Sequence, residues 1–156
     1  MTDNEIVSRV QKDLGGKIGE IANPAPRRIF VSVDATNLID GLKYLKDQLE
    51  FAHLSTITGI DKGEVFEILY HLANPFTCLT VRTTIPRNYP HIPTITGVIP
   101  GAILYERELQ DMFGIVVEQI PDPRPLVLPD NWPAGVYPLR KDWKFERPPE
   151  KIPGGG

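Results

Sequence analysis

Proline decides where regular structure can stand in this chain. Pro121, Pro123, Pro125, Pro129, Pro133 and Pro138 crowd into one short stretch after Glu118. Each fixes its own φ and lacks a backbone N–H, so none belongs in a helix interior or a central strand. Helices and strands must therefore come from residues 1–118. The proline stretch nonetheless holds Leu126, Val127, Leu128 and Trp132, with Trp143 just beyond. A segment this apolar is not a free linker and has to lie against something. The chain divides accordingly into a domain over 1–118, an irregular segment over 119–146 and a flexible tail over 147–156.

Within the first part, hydrophobic spacing marks the elements. Thr2 and Glu5 fit a capping box, Ile6, Val7, Val10 and Leu14 recur at helical spacing, and Gly15-Gly16 ends that helix. A strand is expected near Lys17–Ile21, a break at Asn23-Pro24-Ala25-Pro26 and a second strand over Arg28–Val33. Leu38, Leu42, Leu45 and Leu49 form one buried helical stripe. Strands over His53–Ile60, Glu64–Leu72 and Thr77–Thr84, joined by turns at Asp61-Lys62-Gly63 and Asn74-Pro75, read as an antiparallel meander. Ile85–Pro100 is a proline-punctuated connection. Ala102, Tyr105, Leu109, Met112 and Phe113 then make a helical face, and Gly114 stands where a C-terminal cap glycine belongs. The pattern is α+β: a mostly antiparallel sheet with helices on one face, followed by a long irregular proline-rich segment.

Composition narrows the function. A net charge of −3 with no uninterrupted basic stripe argues against nucleic acid as a partner. Cys78 is the single cysteine, which rules out an internal disulfide and an iron–sulfur cluster held in the usual way by about four cysteines. His53, His71 and His91 are too far apart for a zinc motif, so no cofactor or metal is expected in this chain. Met1–Leu14 does not read as a secretory leader, and no apolar run nears the roughly 20 residues that span a bilayer. A soluble or peripheral protein on the cytoplasmic side is expected.

The densest chemistry lies in Tyr105-Glu106-Arg107-Glu108-Leu109-Gln110-Asp111-Met112-Phe113-Gly114. Arg107 and Asp111 stand at i,i+4 and can pair, while Glu108 and Asp111 at i,i+3 can reach a common partner. The acids are expected near the helix C-terminus, where the dipole disfavours them and a cation from Arg140 or another chain would relieve them. Downstream, Arg124, Arg140 and Lys141 place positive charge on irregular backbone. A charge network that pins the proline segment to its own domain accounts for the same residues.

The helix together with Asp122-Pro123-Arg124 and Pro138-Leu139-Arg140-Lys141-Asp142-Trp143 resembles the signature of the 30 kDa family of respiratory complex I. That family includes the matching small subunits of energy-converting, membrane-bound [NiFe] hydrogenases. Val136-Tyr137 ahead of the Pro138–Asp142 run is closer to the hydrogenase branch. The resemblance implies a non-catalytic accessory subunit that docks on a large catalytic subunit beside a small iron–sulfur subunit. It would lie peripherally on the cytoplasmic side of a membrane arm, with the NiFe centre and iron–sulfur clusters in partner chains. The docking residues it implies are Glu106, Arg107, Glu108, Asp111, Asp122, Arg124, Trp132, Arg140, Lys141, Asp142 and Trp143. The alternative within the family is the 30 kDa subunit of a complex I-type NADH:quinone oxidoreductase.

Readings from other classes fit less well. A free-standing hydrolase could use Glu106 and Glu108 as paired carboxylates, but two residues apart on a helix their side chains diverge by about 200°. A soluble adaptor is the other possibility. Cys78, beside Leu79 and Val81, reads as a small buried hydrophobe rather than a nucleophile. His71 reads as a packed or surface residue flanking a strand, and His91 as a loop residue that could meet a partner.

Overall fold

The computed structural model describes residues 1–145; the expected tail over 147–156 lies outside the described residues. Three helices, α1 (Asp3–Leu14), α2 (Leu38–Leu49) and α3 (Ile103–Phe113), accompany seven strands. These are β1 (Ile18–Ala25), β2 (Arg28–Val33), β3 (His53–Asp61), β4 (Val65–Ala73), β5 (Cys78–Pro86), β6 (His91–Pro93) and β7 (Val116–Glu118). The first five form one sheet in the order β1-β2-β5-β4-β3. All its pairings are antiparallel except β2 with β5. The fold is α+β with a mixed, mostly antiparallel sheet.

Local signals explain most elements. The Thr2–Glu5 capping box closes α1: the Glu5 N–H donates to Thr2 Oγ1 at 3.3 Å, and the Thr2 N–H donates to Glu5 Oε2 at 2.7 Å. The α2 stripe of Leu38, Leu42, Leu45 and Leu49 is buried as expected. The β3–β4–β5 meander forms with the expected turns. Alternation along β4 sends Phe66, Ile68, Tyr70 and Leu72 into the core, where they meet Val31, Leu79, Val81 and the buried faces of the helices. Phe66 meets Phe113 of α3 edge-on at 5.9 Å between ring centroids.

Four expectations are corrected. β1 does not break at Asn23-Pro24; it runs to Ala25, and the chain turns at Pro26-Arg27. An edge strand with irregular register at two places tolerates Pro24, because no ladder bond is needed on its open side. The proline-punctuated connection contains β6, which pairs in parallel with β7. Cys78 is exposed, because it opens β5 on the face opposite Leu79 and Val81. His71 lies within β4, its ring nitrogens 3.1 Å from Thr58 Oγ1 and 3.0 Å from Thr80 Oγ1, and His91 belongs to β6 rather than to a loop.

Candidate functional site

Helix α3 begins at Ile103, so Glu106 sits in its first turn, not near its C-terminus as expected. Its side chain is buried, only 1% exposed, beneath the loop that follows β6. The Thr94 hydroxyl donates to it at 2.6 Å and the Ile95 N–H at 2.6 Å. Burial pushes its carboxyl up, and these two donors only partly offset that. No arginine meets it; the relief comes from a hydroxyl and a peptide.

Arg107 and Asp111 do not pair with each other. They face the proline segment and bind its backbone. The Arg107 guanidinium donates to the carbonyls of Arg124 at 2.8 Å and Pro125 at 3.1 Å, and lies 3.4 Å from Asp122. One oxygen of Asp111 accepts the successive N–H groups of Leu126, Val127 and Leu128 at 2.9, 2.8 and 3.2 Å. Glu108 shares no partner with Asp111: it is exposed and makes no ion pair among the described residues. Asp122 is held well below the usual carboxylate range, first by Arg124, whose guanidinium and N–H both reach it, and then by Arg107.

The C-terminal part of the segment returns to the far end of α3. Arg140 donates from Nε to the Phe113 carbonyl at 2.7 Å, satisfying an acceptor that the helix end leaves open. Its guanidinium lies 5.3 Å from the Phe66 ring centre and 4.5 Å from that of Tyr137. The Lys141 N–H donates to Asp61 Oδ2 at 2.9 Å, while its side chain is exposed. Asp142 pairs with Arg87 at 2.9 Å. Trp132 donates from its indole nitrogen to the Val136 carbonyl at 2.8 Å; its ring is 6.4 Å from that of Trp143, and both are half-buried. The basic residues Arg124, Arg140 and Lys141 thus do not meet the acids of α3.

Spacing misses three contributors: Asp61, Arg87 and Tyr137. Asp61 reads as a turn residue in the sequence, yet it is buried and pairs with Arg87 besides holding Lys141. Burial alone would raise its carboxyl; Arg87 and the N–H groups of Lys141 and Gly63 outweigh that and hold it at about 2. Tyr137 packs against Gly114, where an added Cβ would lie 2.4 Å from its ring. Only the Asp61-to-Gly63 turn pattern carries a local signal, since it fits an Asx turn whose side chain is recruited a second time. Among the described residues, no group of three or more His, Cys, Asp or Glu is placed to hold a metal ion. No helix there is long and apolar enough to cross a membrane.

Residues 31–149 match the family model described as respiratory-chain NADH dehydrogenase, 30 Kd subunit. The chain belongs to this family. The corresponding subunit of the F(420)H(2) dehydrogenase of Methanosarcina mazei is 36% identical over 81% of this chain and 82% of its own length. Formate hydrogenlyase subunit 5 of Escherichia coli is 36% identical over 65% of this chain, which corresponds to only 20% of that longer protein. The membrane-bound hydrogenase subunit beta of Pyrococcus furiosus is 30% identical over 75% of this chain and 70% of its own. Among solved structures, a chain of the archaeal membrane-bound sulfane sulfur reductase superposes with a TM-score of 0.80 at 29% identity, over 90% of this chain and 85% of that one. The trypsin-resistant fragment of Nqo5 shares the fold at a TM-score of 0.66 over 78% of this chain and 99% of the fragment. The 30 kDa family is shared by hydrogenase and complex I-type oxidoreductases that work as membrane-associated assemblies.

Proposed function

We propose that this chain is a non-catalytic accessory subunit of a membrane-associated, energy-converting hydrogenase, docked on the large catalytic subunit through residues 119–146. The observation that carries the reading is the proline segment itself. It is fixed to α3 through its backbone, so the side chains of Leu126, Val127 and Leu139 stay exposed. Exposed apolar side chains beside arginine and tryptophan are what an interface core requires. The candidate docking residues fall into two groups. Arg107, Asp111, Arg140 and the Lys141 backbone shape the segment, and Arg124, Trp132, Trp143 and the Lys141 side chain border its outer surface, with Glu108 on the exposed side of α3.

The partners would be the large catalytic subunit, a small iron–sulfur subunit and, through them, a membrane arm on its cytoplasmic side. A NiFe centre and iron–sulfur clusters would belong to those chains. Similarity to formate hydrogenlyase subunit 5 and to the membrane-bound hydrogenase subunit beta supports the hydrogenase branch. A second reading has a specific observation in its favour. The relative covered most evenly is a dehydrogenase subunit, and NADH-quinone oxidoreductase subunits also match, which fits a complex that passes electrons to another acceptor.

Purification of the tagged chain at native expression, with mass spectrometry and metal analysis, tests both. Stoichiometric nickel and iron with hydrogen evolution are expected in the complex, and neither in the isolated chain. Iron without nickel, with quinone reductase activity, would select the second reading. Catalytic turnover or stoichiometric metal in the isolated chain would overturn the accessory role.

A further inference from the structure

Two α3 side chains one helical turn apart divide the labour on one stretch of strap. Arg107 donates to the carbonyls of Arg124 and Pro125, and Asp111 accepts the N–H groups of Leu126, Val127 and Leu128. The backbone over residues 124–128 is thereby specified residue by residue. Pro125 and Pro129 bracket the three peptides that Asp111 holds, removing conformational freedom on both sides. Three successive N–H groups converging on one oxygen form a concave cradle, with the carboxylate in the position of a bound anion. Asp111 is itself 8% exposed, so a charged group is committed to this task inside the domain.

The outcome runs against ordinary packing. Leu126 and Val127, adjacent and branched, are 43% and 52% exposed. A loop free to choose would turn at least one of them inward. Here hydrogen bonds to the peptides on both sides fix the pair outward. Presetting a contact surface removes ordering cost at the moment of binding, and that is where its benefit lies.

The relatives of this chain indicate what covers the pair. The region matching it makes up only 20% of formate hydrogenlyase subunit 5 and 26% of hydrogenase-4 component G, both of Escherichia coli. There it is covalently joined to a much longer polypeptide, and such linkage supplies an effective concentration of roughly millimolar order. Where the same region is a chain of its own, surface contacts must replace the link. We infer that Arg107 and Asp111 are positioning residues that hold Leu126 and Val127 outward as a preset apolar anchor. The partner it takes is the separate polypeptide corresponding to the remainder of formate hydrogenlyase subunit 5. This rests on the accessory role above and adds which contact carries the affinity and what shapes it.

The test uses the full chain and the polypeptide from the same organism that matches the rest of formate hydrogenlyase subunit 5, with affinity read by surface binding. Substituting Leu126→Ser and Val127→Ser together should leave the melting temperature of the isolated chain unchanged, because both side chains are exposed. It should weaken binding by about thirty-fold or more, the scale of an interface hot spot. Asp111→Ala should speed amide exchange at residues 126–128 and weaken binding in parallel. Asp111→Asn, which retains an acceptor oxygen, should recover most of both. Affinity of the double variant within about twofold of the native chain, well below a hot-spot effect, overturns the anchor and leaves the accessory role standing. Failure of the native chain to bind that polypeptide overturns both.

Discussion

Asp61 shows how one carboxylate can join parts of the chain far apart in sequence. It ends β3, holds its own turn through the Gly63 N–H at 2.8 Å, pairs with Arg87 after β5 and accepts the Lys141 N–H of the strap. Its side chain ionises at about 2 in the folded chain against 3.8 for an unperturbed carboxyl. A folded value below the unfolded one means that this stabilisation is complete above about pH 4 and is lost as pH falls through about 2. Glu106, raised by burial, acts in the opposite sense: its contribution is present at low pH and is lost as pH rises through its folded value. The thermal midpoint of the native chain should therefore drop on acidification from pH 4 to pH 2. Asp61→Asn should be less stable at pH 6, by about 1–3 kcal/mol for a weakened charged hydrogen-bond cluster, and its midpoint should vary less between pH 4 and 2. Calorimetry across that range checks this; parallel curves for the two proteins would show that Asp61 is not the group that titrates.

At the scale of elements, α3 and Gly114 couple the domain to its strap. Gly114 ends α3 in the left-handed region at φ 69°, which costs any other residue strain. Its missing Cβ also leaves the space that the Tyr137 ring fills. Gly114→Ala should cost about 1–3 kcal/mol in denaturant unfolding, from backbone strain and overpacking together. In a Tyr137→Ala background the steric part should disappear and only the strain remain, so the two substitutions should be non-additive. Equal costs in both backgrounds would mean that the ring moves aside freely. The same elements show what spacing can and cannot carry. The Leu38–Leu49 stripe, the Thr2–Glu5 box and the paired turns of the meander are local patterns, and each forms where the residues place it. Pro24 in a strand depends on β1 being at the sheet edge, and β6 with β7 is too short to show a period. The motif around α3 is legible as a concentration of charge. Its use is not, because Arg107 and Asp111 address peptide groups, and any sequence offers peptide groups.

The whole molecule raises the question of what orders the strap. Its many prolines suggest a segment that waits for a partner, since neither helix nor sheet can satisfy its backbone. The structure supplies those bonds from within the chain, at discrete points. Leu126, Val127 and Leu128 donate to Asp111, Leu139 donates to the Met112 carbonyl at 3.1 Å, and Lys141 donates to Asp61. Arg140 adds a side-chain bond to Phe113 and lies near the Phe66 and Tyr137 rings, so the strap closes over the end of the core as well as offering a surface. Arg140→Glu should accordingly destabilise the isolated chain, not only release it from a complex. Hydrogen exchange on the isolated chain separates internal order from borrowed order. The amides of Leu126, Val127, Leu128, Leu139 and Lys141 should be protected without any partner, with Asp130 and Asn131 between them exchanging faster. Protection at the first five that appears only on assembly would mean that the partner, not Asp111 and Asp61, holds the strap. Protection already present, and unchanged by assembly, would mean that the partner meets a surface the chain has finished building on its own.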